Sequence, residues 1–99
     1  MNWRHTSGID SAQLFYYGRS LGKFLKVRRE ELGLSQEDVA LRADMDRRHY
    51  QELEHGFSNS RTRTPANPRL FTLVSLAAAL EMDIEEFLAR LGASFSAIS

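Results

Sequence analysis

DMDRRHYQELEHG, residues Asp44 to Gly56, holds two arginines, two histidines and four acids within thirteen residues. Asp46 is a good helix N-cap, and Tyr50 and Leu53 recur at helical spacing. At about 100° per residue, Arg47, Arg48, Gln51, Glu52 and His55 fall on one arc, and Tyr50 and Leu53 on the other. The stretch therefore reads as a short helix with a small apolar foot and a face crowded with long hydrogen-bonding side chains. Taken alone it also fits a solvated surface helix. Its neighbours decide.

Immediately upstream, Ser35 and Asp38 in LSQEDVA form an S-x-x-D capping signal. The helix it opens spans about Gln36 to Ala43, with Val39, Ala40 and Ala43 inward. Small residues at 40 and 43 let another helix approach closely. About three residues separate it from the Arg47 helix, which forces a sharp angle between the two.

Further out, Leu14, Tyr17, Leu21, Leu25 and Leu32 trace a helical stripe with Phe24 beside it. Gly18 and Gly22 weaken its middle by roughly 1 kcal/mol each relative to alanine. The expectation is a helix over 20–32 ended by Gly33, with a short helix over 11–17 capped by Asp10 and Gln13. Residues 1–9 have no period and read as a loose arm. Downstream, Gly56 closes the Arg47 helix, and GFSNSRTRTPAN is a loop by composition. Asn67-Pro68 reads as N-cap and first residue of a helix carrying Leu70, Leu73, Leu76, Ala77 and Leu80. Asp83 with Glu86 opens the last helix, with Ile84, Phe87, Leu88 and Leu91, and Phe95 and Ile98 continue the apolar spacing into the tail. No repeat and no strand stands out. The fold class is all-α: a bundle of about five short helices over 20–91, preceded by an arm at 1–19 and followed by a tail at 92–99.

Composition narrows the function. Ninety-nine residues at 42% hydrophobic content suit one domain with a modest core. There is no cysteine for disulfides or thiolate metal sites. His5, His49 and His55 lack ligand spacing, so neither metal nor cofactor is expected. No nucleophile–base or paired-carboxylate arrangement can be placed on neighbouring helices, so no enzyme is expected either. No apolar run approaches the roughly 20 residues of a membrane span, and MNWRHTSGID lacks a signal-peptide core, so a cytoplasmic protein is expected. Lys+Arg and Asp+Glu are both 13, but they are unevenly placed. Residues 1–80 carry 12 basic and 9 acidic groups, while residues 81–99 carry one arginine against Glu81, Asp83, Glu85 and Glu86. A basic body with an acidic end is compatible with one face on phosphate and another turned away.

Three segments, LGKFLKVRREELGLSQEDVALRADMD, RRHYQELEHG and PRLFTLVSLAAALEMDIEEFL, together resemble the Cro/phage-repressor (Xre-like) helix-turn-helix DNA-binding family in order, spacing and core positions. The resemblance covers about residues 21–88 and implies a lambda-repressor-like domain. It implies that the second helix of the pair enters the major groove with its first turn toward the base edges. Arg47 and Arg48 would then lead the base contacts, with Gln51 and Glu52 one turn later. An arginine fork matches guanine O6 and N7, and a glutamate accepts from cytosine N4. Gln36 sits where the family commonly contacts phosphate, with Ser35 and His49 beside the same backbone. Arg29 and Glu54 match a structural ion pair of the family. Tyr50 replaces a usual aliphatic core residue, so its hydroxyl needs a partner or water. The competing reading is that Arg47 and Arg48 merely bridge Asp44, Asp46 or Glu52. Glu52, repelled by phosphate, would in that case only orient an arginine.

Asp44 departs from the resemblance by standing where the family prefers glycine in a left-handed turn. The connection from Gly56 to Pro68 is longer than the family's. Its Arg61 and Arg63 are candidates for phosphate contact, or for an exposed loop. Residues 1–19 have no counterpart; Phe15, Tyr16 and Tyr17 pack on the core or form a partner surface. The function implied is a sequence-specific regulator of transcription, a repressor, binding a palindromic operator in double-stranded DNA as a homodimer. Leu88, Leu91, Phe95 and Ile98 are the candidate dimer face. A chain this short is expected to have no room for a separate ligand-sensing domain, which favours control by protein level, by a partner or by modification. A restriction–modification controller and an antitoxin both fit the regulator. The reading from a different class is a protein-interaction adaptor that keeps the fold without DNA binding.

Overall fold

Two reciprocal capping boxes start the first two helices. Asp10 Oδ1 accepts from the Gln13 amide at 2.9 Å, and Gln13 Oε1 accepts from the Asp10 amide at 3.0 Å. From there α1 runs unbroken over Ser11–Glu31. The Ser35 hydroxyl accepts from the Asp38 amide at 3.0 Å, and Asp38 accepts from the Ser35 amide at 2.8 Å, opening α2 over Gln36–Arg42. The order continues with α3 (Arg47–Glu54), β1 (Phe57–Asn59), β2 (Thr64–Pro65), α4 (Leu70–Ala79) and α5 (Ile84–Ile98). This computed structural model describes residues 10–98, with side chains to Phe95. The loose arm expected over 1–9 and the side chain of Ile98 lie outside the described residues.

Five helices are present among the described residues, as expected, but four of their bounds or connections differ. The break expected near Gly18 does not occur, because Gly18 and Gly22 both serve a close approach. A Cβ on Gly18 would stand 2.7 Å from the Gly56 carbonyl oxygen, and one on Gly22 would overlap the Glu54 carbonyl. Their absence of side chain lets α1 lie on the C-terminal end of α3, which outweighs their poor helix propensity. The fourth helix begins at Leu70 with Arg69 in the cap position, two residues later than expected. Ala66 donates to the Gly56 carbonyl at 2.8 Å, which keeps the chain extended as it leaves the hairpin.

The expected loop after Gly56 is instead an antiparallel hairpin, with Phe57 opposite Pro65, Asn59 opposite Thr64 and an irregularity between. Strands of three and two residues are too short to show alternation. Pro65 is tolerated because a two-stranded ribbon has only edges. Finally, α5 continues through Gly92 to Ile98 rather than ending in a tail. Tyr17 packs edge-on against Phe95 at 5.0 Å, and the Tyr16 hydroxyl donates to the Phe95 carbonyl at 2.9 Å. The first aromatic of that cluster, Phe15, meets Phe57 of the hairpin.

The core gathers Leu21 and Leu25 of α1, Val39 and Ala40 of α2, Tyr50 and Leu53 of α3, Leu76 and Leu80 of α4, and Phe87 of α5. Phe24 meets Phe87 edge-on at 5.2 Å. None of the described helices is long and apolar enough to cross a membrane.

Candidate nucleic-acid interface

A four-residue turn, Ala43 to Asp46, sets the angle between α2 and α3. Asp44 adopts φ 55°, the left-handed conformation that aspartate tolerates better than most residues. The Met45 amide closes the turn on the Ala40 carbonyl at 2.9 Å. Asp46 occupies the N-cap position of α3, but its side chain makes no capping hydrogen bond.

The helix that follows divides as its periodicity predicts. Tyr50, Leu53 and Glu54 are buried, whereas Arg47, Arg48, Gln51 and His55 are exposed. The Arg47 and Arg48 side chains make no hydrogen bond or ion pair with another described residue. The bridges to Asp44, Asp46 or Glu52 that would make them merely structural are not formed. Arg48 only lends its field to the Glu52 carboxylate. His49 is half-buried beside a groove lined by Asp44, Met45, Phe71 and Val74.

Behind this surface, one carboxylate ties three helices together. Glu54 accepts from Arg29 Nε at 2.6 Å and Nη2 at 3.1 Å, and from Gln36 Nε2 at 3.0 Å. Arg29 also donates from Nη1 to the Leu34 carbonyl at 3.0 Å. Burial pushes the Glu54 carboxyl up, but its bonds from Arg29 and Gln36, with the Tyr50 hydroxyl close by, outweigh that and hold it below the usual carboxylate range. The Tyr50 hydroxyl faces this pair without a well-formed hydrogen bond. Burial first, and Glu54 next, push its ionisation far up, so it stays neutral. Gln36 is thus turned to Glu54, not outward, while Ser35 is exposed and engaged in its capping box.

Glu52 is held as well. Its Oε2 accepts from the Ser60 amide at 2.6 Å and from the Ser60 hydroxyl at 3.0 Å. Those two bonds, amide first, hold its carboxyl below the usual range. Periodicity places Glu52 on the exposed arc but carries no sign of Ser60, eight residues on. Arg61 and Arg63, flanking Thr62 at the hairpin tip, are exposed, with the Arg63 guanidinium 5.1 Å from the Phe57 ring centre.

On α5, Leu88 stays exposed, but Leu91 is turned into the core and Phe95 packs against Tyr17. Two residues expected at a dimer face are therefore covered by the chain's own helices. Helical spacing marks a residue as apolar without saying which surface covers it. Phe71 and Val74 of α4 are large apolar side chains left exposed along the His49 groove.

This pair of helices, with a sharp turn and two free arginines leading the second, coincides with a helix-turn-helix family model that matches residues 25–87. The chain belongs to the Xre/lambda-repressor-like helix-turn-helix family. Its fold is similar to that of the restriction-modification controller protein C.AhdI from Aeromonas hydrophila, at 29% identity and a TM-score of 0.55, over 77% of this chain and 97% of that one. Comparison with curated protein sequences finds no match. This helix-turn-helix protein is a DNA-binding regulator of transcription.

Proposed function

We propose that the protein is a repressor that binds a palindromic operator as a homodimer, reading base edges with Arg47, Arg48 and Gln51. The observation that carries this reading is that both arginines lead an exposed helix face with no carboxylate partner among the described residues. Two planar forks left free in this way match the paired acceptors of guanine in the major groove. Ser35 and His49 flank the helix toward the phosphates. Gln36 reaches them only by leaving Glu54. Occupying a groove excludes other proteins from the same DNA, the simplest route to repression. One such domain offers few base contacts, and two-fold pairing doubles them. The likeness to a restriction-modification controller supports a controller-type role for this chain.

Selection of bound sequences from a randomised duplex pool tests the proposal. The expected outcome is two inverted half-sites about one helical turn apart, with guanine enriched in each. Sedimentation should find a dimer on that operator. A single unpaired motif would remove the homodimer, and no enrichment would remove sequence-specific readout.

A further inference from the structure

The hairpin is a built part of the molecule. Its base is held by the Ala66–Gly56 hydrogen bond and by Phe57 against Phe15. Its tip is shaped by Asn59, whose Oδ1 accepts from the amides of Arg61 at 3.0 Å and Thr62 at 3.3 Å, and by the Thr62–Thr64 hydroxyl contact at 2.7 Å. One bond pair joins that tip to α3, and it ends on Glu52. Glu52 lies one turn after Arg48 on the same stripe of the exposed arc. The residue that follows Ser60 is Arg61, whose exposed guanidinium has no partner among the described residues. The arginines at the start of α3 and the arginine of the hairpin tip thus border one stripe.

From this juxtaposition we infer that the hairpin is a second DNA-binding element, in which Arg61 engages the phosphate backbone beside the groove that α3 enters and Glu52 is the positioning residue that holds it there. The inference rests on the major-groove reading above. Glu52 then acts through Ser60 and not on a base. Its two accepted hydrogen bonds occupy the oxygen nearest the tip, so that a carboxylate stands on a DNA-facing stripe as a strut. Arg63, stacked on Phe57, stiffens the same tip through a cation–π contact.

Affinity of the full chain for its selected operator, measured across a series of salt concentrations, tests this. Arg61→Ala should reduce the salt slope by about 0.9 for each phosphate it no longer neutralises, with the preferred sequence unchanged. Glu52→Ala should reduce it by the same amount, and the double variant should be no lower than either alone. Glu52→Gln should keep the wild-type slope, because its amide oxygen still accepts from the Ser60 amide while the charge is gone. Unchanged melting of all four variants separates these effects from unfolding. A change of preferred base in Glu52→Ala would make Glu52 a reader and overturn the inference. So would additive losses, a slope equal to wild type in Arg61→Ala, or tighter binding when the tip is removed. Those outcomes leave the wild-type operator preference intact, whereas an absence of that preference would overturn the major-groove reading and this inference with it.

Discussion

Arg29 and Glu54, twenty-five residues apart, meet through two hydrogen bonds of 2.6 and 3.1 Å, with side chains only 12% and 2% exposed. The pair fastens α1 to the end of the helix that carries Arg47, and Gln36 adds α2 to the same carboxylate. Removing one partner strands the other charge, at a cost of about 3–5 kcal/mol. Arg29→Ala should therefore lower the melting temperature without any DNA present. Stability close to wild type would show that the buried carboxylate is satisfied by other means.

The same carboxylate predicts an acid limb. Its value in the folded protein lies below the ordinary 4.5, so the stability it contributes is complete above about pH 4.5 and is lost as pH falls through the folded value. Melting temperature followed from neutral pH down to about 3 should fall less steeply in Glu54→Gln than in wild type. That variant should start lower at neutral pH. Parallel curves would assign the acid limb to other carboxylates.

Gly22 offers a test in which two physical effects have opposite signs. Helix propensity alone predicts that Gly22→Ala gains about 1 kcal/mol. The close approach predicts a loss, since the new methyl would overlap the Glu54 carbonyl and force α1 from α3, an overpacking cost of about 1–3 kcal/mol. The expected result is a lower urea midpoint. A raised midpoint would mean that the helices separate at no cost.

Tyr50→Phe should leave stability equal to wild type or higher. The hydroxyl is buried without a well-formed partner, a situation that costs about 1–3 kcal/mol, and phenylalanine keeps the ring while removing it. A loss of more than about 1 kcal/mol would show instead that the hydroxyl bonds Glu54 in solution.

Arg47→Ala should cost about 1–3 kcal/mol on the selected operator and relax preference at one base pair in each half-site. Arg47→Lys should restore only part of this, because an ammonium lacks the planar fork. Binding to unrelated duplex should change far less. A variant that kept the full base preference would pass the role to Arg48.

What the residue order makes legible here is whatever has a local mark. Ser35 with Asp38, Gly33, Gly56 and the Tyr50–Leu53 spacing each declare a helix end or face within a few residues, and the structure has the paired helices where these marks place them. Gly18 and Gly22 mislead because their reason lies over thirty residues away, on the backbone of Glu54 and Gly56. The hairpin escapes notice because its strands are shorter than one alternation. For Gln36, Glu52 and Leu91, periodicity tells the direction of a side chain but not its partner. Glu54, Ser60 and the core respectively take them up.

The contact between Tyr16 and Phe95 spans 79 residues, and it orders events during synthesis. A ribosome releases Arg29, Gln36 and Glu54 early, so the ion pair has its partners before Leu76, Leu80 and Phe87, which complete the core under the helix pair, are made. The clasp between the start of α1 and the end of α5 becomes available only when the last helix has emerged. The ion pair behind Arg47 thus has its contacts before the helices that close around it.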